Sequence, residues 1–172
     1  VTTVPSTGHR AAVLRQAFAC FPSGVTALGA VAGGAPAGMA VSSFTSVSLE
    51  PALLSVCVRN ASATWPQLRA SPRLGLSVLA EHQAAAGRRL AGKTGDRFAG
   101  VGWWASDDGA LFVLGASAWF DCSVRAEVPA GDHTVVLLEV HGLHANPDVP
   151  PLVFHGSRFR RLELGELAVG AS

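Results

Sequence analysis

Charge is scarce in this 172-residue chain: only 15% of it is Asp, Glu, Lys or Arg, and the net charge is +1. Lys93 is its one lysine, and the other basic residues are arginines scattered along the sequence. A basic stripe for nucleic acid and a polybasic membrane anchor are thereby excluded. The three cysteines, Cys20, Cys57 and Cys122, are widely spaced and make no C-x-x-C pair. Neither a zinc site nor a dithiol redox centre is supported. His141, His144 and His155 also lack zinc-ligand spacing, so no metal is expected. Gly29, Gly33 and Gly34 do not complete G-x-G-x-x-G, and no G-x-x-x-x-G-K-[ST] occurs, which removes a Rossmann fingerprint and a P-loop. Asp132 and His133 are adjacent and have no evident nucleophile, so a hydrolase triad is not indicated. No apolar run reaches the roughly 20 residues of a membrane span. The first residues, VTTVPSTG, do not read as a secretory signal, and a cytoplasmic protein is expected.

Hydrophobic residues are plentiful, at 49%. A chain of this length suits one domain that buries about 70% of its unfolded surface. So large an apolar share points to a covered subunit interface. The expected domain covers residues 1–162, with 163–172 as a flexible tail.

Val13, Leu14, Ala17, Phe18 and Phe21 share one helical stripe, which predicts a helix from a Thr7–Gly8 cap to about Phe21. Val25 to Ala32 reads as a strand, Gly33 to Pro36 as a turn, and Met39 to Ser43 as the returning strand. Leu53 to Val58 has strand length. Ala63–Arg69 and Glu81–Leu90 read as short helices. Phe120, Cys122, Val124, Ala126 and Val128 alternate with polar residues, the pattern of a half-buried antiparallel strand. Pro129 to Gly131 turns the chain into a second strand from His133 to Leu143. Leu152–Phe154 and Arg158–Leu162 read as final short strands. Long adjacent strands joined by a short turn argue against a doubly wound sheet, whose parallel strands need helical crossovers. The expectation is a mainly β, antiparallel barrel with a few short helices.

The chemistry concentrates in GMAVSSFTSVSLEPALLSVC, Gly38 to Cys57, where Ser42, Ser43, Thr45, Ser46 and Ser48 lie between apolar runs. Small hydroxyl residues at this spacing can cover a flat ring and bond its polar edge. Downstream stand Arg59-Asn60-Ala61-Ser62-Ala63-Thr64, Gln83, Asp96-Arg97-Phe98 and Gly131-Asp132-His133. With Phe21 to Thr26 upstream, these motifs resemble, in order, those of the short-chain flavin reductases. That family comprises NAD(P)H:flavin oxidoreductases serving two-component flavin-dependent monooxygenases. The resemblance runs from about Arg10 to Leu162.

The resemblance implies a split β-barrel of the FMN-binding, Greek-key kind, with flavin held at a homodimer interface. It places Met39, Ala40, Val41, Ser42, Ser43 and Ser46 along the flavin ring, with Cys57 beside them. Met39 and Val41 equally suit ordinary core packing. Asn60, Ser62, Ala63 and Thr64 are implied for the phosphate-bearing tail, although Ser62 also suits plain helix capping. Gln83 and Phe98 fall on family positions. Lys93 and Arg97 would add charge to the phosphate or adenylate half, or remain solvated. His133 is implied to hydrogen-bond the dinucleotide rather than to move a proton, since hydride transfer chiefly needs two rings in close approach. Phe154 and Phe159 resemble a closing aromatic element and equally suit core. FAD is expected before FMN, and NADH before NADPH. No tyrosine or tryptophan is placed to clamp the ring, which suits a reduced flavin that leaves for a monooxygenase or halogenase, as in catabolism or natural-product biosynthesis. A non-enzymatic flavin carrier or sensor, or an amine oxidase of the pyridoxamine-phosphate type, are the competing readings.

Overall fold

The computed structural model describes residues 10–163 and Gly165. Helix α1 (Arg10–Phe18) leads into β1 (Ser23–Gly24), β2 (Thr26–Ala32) and β3 (Ala35–Val41). Strands β4 (Thr45–Leu49) and β5 (Ala52–Arg59), helix α2 (Trp65–Arg69) and β6 (Leu74–Val78) follow. A 3₁₀ turn (Glu81–Gln83) runs into α3 (Ala84–Leu90), and β7 (Trp103–Ala105) pairs with β8 (Leu111–Val113). Then come β9 (Ala118–Ala130), β10 (His133–Ala145), β11 (Val153–His155) and β12 (Arg158–Arg160).

Seven strands form one sheet in the order β3-β2-β6-β9-β10-β5-β4, while β1, β11 and β12 form a smaller one. Every pairing in the large sheet is antiparallel, so the fold is mainly β and not doubly wound. Among the described residues no helix is long and apolar enough to cross a membrane.

Period-two burial explains the central strands. In β5, Leu54, Val56 and Val58 are buried while Leu53, Ser55 and Cys57 are only half-buried. Val136 and Leu138 of β10 join them, with Leu28, Leu74, Leu76 and Cys122, in the main core. Each such leucine removed from water contributes about 1.5–3 kcal/mol. The alternation predicted for the whole of Phe120–Val128 holds only in part. Leu137 pairs with Ala126 but Leu138 with Val124, so Arg125 is the extra residue of a bulge. The bulge swaps the faces beyond it, and Val128 is left 50% exposed near the hairpin tip.

Two further differences have local causes. The predicted helix stops at Phe18, short of Phe21, because Pro22 disfavours a helical residue before it. Phe18 and Phe21 are 70% and 76% exposed, and the predicted cap at Thr7–Gly8 lies outside the described residues. The β2–β3 turn is only Gly33 and Gly34, with φ of 60° and 81°, the pair of positive values a tight hairpin requires. Pro36 sits in β3 opposite Val31, tolerated because β3 is an end strand. Most of the predicted tail also lies outside the described residues, and Glu163 carries no regular structure.

A row of glycines brings a second layer onto the sheet. Gly38, Gly29 and Gly75 are neighbours in register across β3, β2 and β6. A Cβ on Gly38 would meet the Phe98 ring at 2.8 Å, and one on Gly29 would meet the Leu111 side chain at 3.1 Å. Only hydrogen at these positions lets Phe98 and β8 lie flat on the strands. Phe98, Leu111 and Val113 then share a second core with Leu79, Leu90 and Leu152.

Burial pushes the Cys122 thiol up to about 12, whereas Cys20 is exposed. A thiol reagent is expected to modify Cys20 in the native protein and to reach Cys122 only in denaturant. Peptide mass mapping checks this, and prompt native labelling of Cys122 would contradict the packing.

Candidate functional site

The end of β3, the end of β5 with its following loop, the end of α3 and the start of β10 converge on a cleft of about 670 Å³. Met39, Ala40, Val41, Ser42 and Ser43 line one side, and Cys57 faces it from β5. Ser62 and Ala63 come from the loop, Lys93 and Arg97 from beyond α3, and His133 from the first position of β10. Segments far apart in sequence are therefore brought together here.

Local bonding sets each group. Ser43 Oγ accepts the Cys57 N–H at 2.7 Å and donates to the Cys57 carbonyl at 3.3 Å. One hydroxyl thus fastens the chain beyond β3 to β5, a strand near the opposite end of the sheet order. As β3 is an end strand, alternate backbone groups of Met39–Val41 point out of the ladder and are free to bond a ligand's edge. Arg97 Nη1 donates to the Gly38 carbonyl at 3.0 Å and to Thr64 Oγ1 at 2.6 Å. Its neighbour Phe98 is buried on Gly38, and Asp96 Oδ1 accepts the Phe98 N–H at 2.9 Å. The glycine row therefore seats Phe98, and Phe98 holds Arg97 at the cleft.

Other residues singled out in the sequence stand outside the lining. Thr64 and Phe98 border a smaller hollow of about 300 Å³ that shares Lys93 and Arg97 with the cleft. Ser46 lies on exposed β4. Gln83 is buried, its Oε1 accepting the Ala80 N–H at 2.8 Å and its Nε2 donating to the Leu114 carbonyl at 2.7 Å. Phe154 and Phe159 stack edge-on at 5.6 Å against the second core, with Arg88 over the Phe159 ring. Ser62, which does line the cleft, accepts the Trp65 N–H on its Oγ at 3.1 Å, at the start of α2. Asn60 spends its amide on the β9–β10 turn.

The sequence reading passed over Leu90, Ala91 and Gly92, which line the cleft from the end of α3. They carry no polar group to mark them. Arg59, quoted as the first residue of the Arg59–Thr64 motif but not named as a site residue, also lines the cleft and pairs with His133 in the β5–β10 ladder.

Electrostatics favour an anionic guest. Arg59, Lys93 and Arg97 all line the cleft, and no carboxylate does among the described residues. His133 Nδ1 lies 2.8 Å from Asp132 Oδ1, and that hydrogen bond holds the exposed Asp132 carboxyl below its ordinary value. A carboxylate partner selects the tautomer protonated at Nδ1, leaving Nε2 as an acceptor. Among the described residues no group of His, Cys, Asp and Glu could hold a metal ion.

Residues 18–163 match the flavin reductase like domain family. The chain belongs to that family. This flavin reductase-like domain is 36% identical to the NADH:FMN oxidoreductase of Rhodococcus erythropolis, over 94% of this chain and 87% of that one. Among solved structures, an NADH:FAD oxidoreductase of Streptomyces globisporus C-1027, in complex with NAD and FAD fragments, is similar with a TM-score of 0.84. Its identity is 36%, covering 93% of this chain and 98% of that one. The flavin reductase component of a bacterial two-component tryptophan halogenase has a TM-score of 0.81 and 33% identity, covering 88% and 98%. The domain spans only 40% of a probable flavin reductase of Rhizobium meliloti, to which it is 39% identical over 72% of its own length.

The donor set of this flavin reductase-like domain fits a flavin. Met39, Ala40, Val41 and Leu90 offer apolar surface for a planar ring, outward backbone groups suit its polar edge, and the cations suit a phosphate tail.

Proposed function

We propose that the protein takes a hydride from NADH and delivers it to FAD, which then leaves, reduced, for a partner monooxygenase or halogenase. When bound, the flavin supplies the ring that accepts the hydride and carries the electron pair away. The observation that carries this reading is the single cleft shared by Met39–Ser43, the Lys93–Arg97 cations and His133. Met39–Ser43 lie along the ring and keep water from one face. Arg97, preset by Gly38 and Thr64, holds the phosphate. His133 Nε2 accepts a hydrogen bond from the dinucleotide, orienting it without exchanging a proton. FAD is favoured over FMN because the adjoining hollow by Lys93, Thr94 and Asp96 has room for part of an adenylate. NADH is favoured over NADPH by its place in the names of the Rhodococcus and Streptomyces relatives.

The same reading includes a split barrel, supported by the Ser43 bonds that join β3's continuation to β5. It includes a homodimer, supported by the exposure of Phe18, Phe21 and Leu49 on a chain so rich in apolar residues. The domain is assigned to residues 1–162 and the cytoplasm is its proposed location.

Protein mixed with excess FAD and NADH is expected to bleach the nicotinamide absorbance through many turnovers; no consumption of NADH would overturn the reading. His133→Ala is expected to raise KM for NADH about fivefold, the loss of one hydrogen bond of about 1 kcal/mol. Initial rates measure it, and an unchanged constant removes His133 from the site.

A further inference from the structure

We infer that Asn60 is a positioning residue that holds the turn carrying His133, tying dinucleotide recognition to the loop beside the flavin tail. The inference rests on the reductase reading for the task of His133. Asn60 is exposed and does not line the cleft, yet its polar groups are committed. Its Nδ2–H donates to the Gly131 carbonyl at 3.1 Å, and its Oδ1 accepts from the Thr134 hydroxyl at 2.9 Å. Its backbone N–H donates to the Asp132 carbonyl at 3.0 Å. Three of the four residues from Gly131 to Thr134 are thus bonded to one residue, and the fourth, His133, pairs with Arg59 next door.

A side chain that must both donate and accept explains the amide. Aspartate would offer no donor to the Gly131 carbonyl, and an apolar residue would offer neither group. Gly131 has φ of 67°, so its turn is of the kind a fixed carbonyl helps to define. Asn60 is followed by Ala61, Ser62 and Ala63, all lining the cleft. Losing the amide therefore loosens the turn that carries the histidine, while the Asn60 backbone N–H still holds the loop to Asp132. Asp132 completes the arrangement by fixing the ring nitrogen that carries the proton.

The test is a cycle of Asn60→Ala and His133→Ala. Asn60→Ala is expected to raise KM for NADH about threefold, with kcat and KM for FAD moving much less, because part of one hydrogen bond is lost. The double variant is expected to match His133→Ala alone, since a residue acting through His133 has nothing left to act through. Effects that multiply would overturn the inference. Imidazole ¹⁵N spectra of the flavin-free protein supply a readout independent of turnover. The parent is expected to show His133 largely protonated at Nδ1, and Asn60→Ala or Thr134→Val to shift it towards an averaged ring. Spectra identical in all three proteins would overturn the role of Asn60. If the parent consumes no NADH, the reductase reading falls, and the imidazole spectra still decide whether Asn60 holds the ring.

Discussion

Arg97→Ala is expected to weaken FAD binding about 100-fold, since charge-assisted bonds from an arginine fork contribute about 1.5–3 kcal/mol. Among the described residues, both bonds that Arg97 makes come from Nη1, to Gly38 and Thr64. The rest of the fork is left to face the cleft, held in place before any ligand arrives. Arg97→Lys keeps the charge but loses the planar fork, and an intermediate loss of about tenfold is expected. Flavin fluorescence titration gives the dissociation constants, with kcat at saturating FAD as the control for intact chemistry. A constant for Arg97→Ala within a factor of about three of the parent would take the phosphate away from Arg97.

Gly75→Ala is expected to destabilise the native fold severely. A Cβ there would lie 2.0 Å from the Leu111 carbonyl oxygen, 2.5 Å from its carbon and 2.9 Å from its nitrogen. All three are backbone atoms of β8, so no side chain can swing aside. Overpacking costs about 1–3 kcal/mol where side chains can adjust, and more where the backbone must move. A loss of about 4 kcal/mol or more is expected, against a usual total stability of about 5–15 kcal/mol. Gly24→Ala is the matched control, because its Cβ would meet nothing within 4 Å. Denaturant melts and soluble yield compare the two, and a near-parental melt for Gly75→Ala would mean that β8 does not rest on β6.

Legibility followed from how many sides of each element are covered. Strand β10, with its partner β9, has one wet face, so residues such as Asp121 and Ser123 interrupted the apolar run and marked it. Leu74–Val78 was not recognised as a strand because its first four residues are all buried, leaving no alternation to see. Strands β1, β7 and β8 have only two or three residues each, too few for any period to register. The bulge at Arg125 left no local mark either. At the cleft, the Ser42–Ser48 hydroxyls were visible as residue types, but Met39–Ser43, Lys93, Arg97 and His133 could be named together only through the resemblance of their motifs, in order, to those of the short-chain flavin reductases. What each polar group bonds was not visible. Asn60 and Gln83 read equally well as ligand contacts, but across long sequence separations their amides donate to the Gly131 and Leu114 carbonyls, and the Asn60 Oδ1 accepts from the Thr134 hydroxyl. Leu90–Gly92 entered through shape alone.

The bonds from Ser43 to Cys57 give that position two obligations at once. A mutation that reshaped the pocket for a different ring would also unpick the clasp between β3's continuation and β5. Ser42, beside it, is exposed and makes no such bond among the described residues. Adaptive drift is thus constrained at 43 and permissive at 42, and variants selected for altered flavin preference should accumulate at the second position before the first.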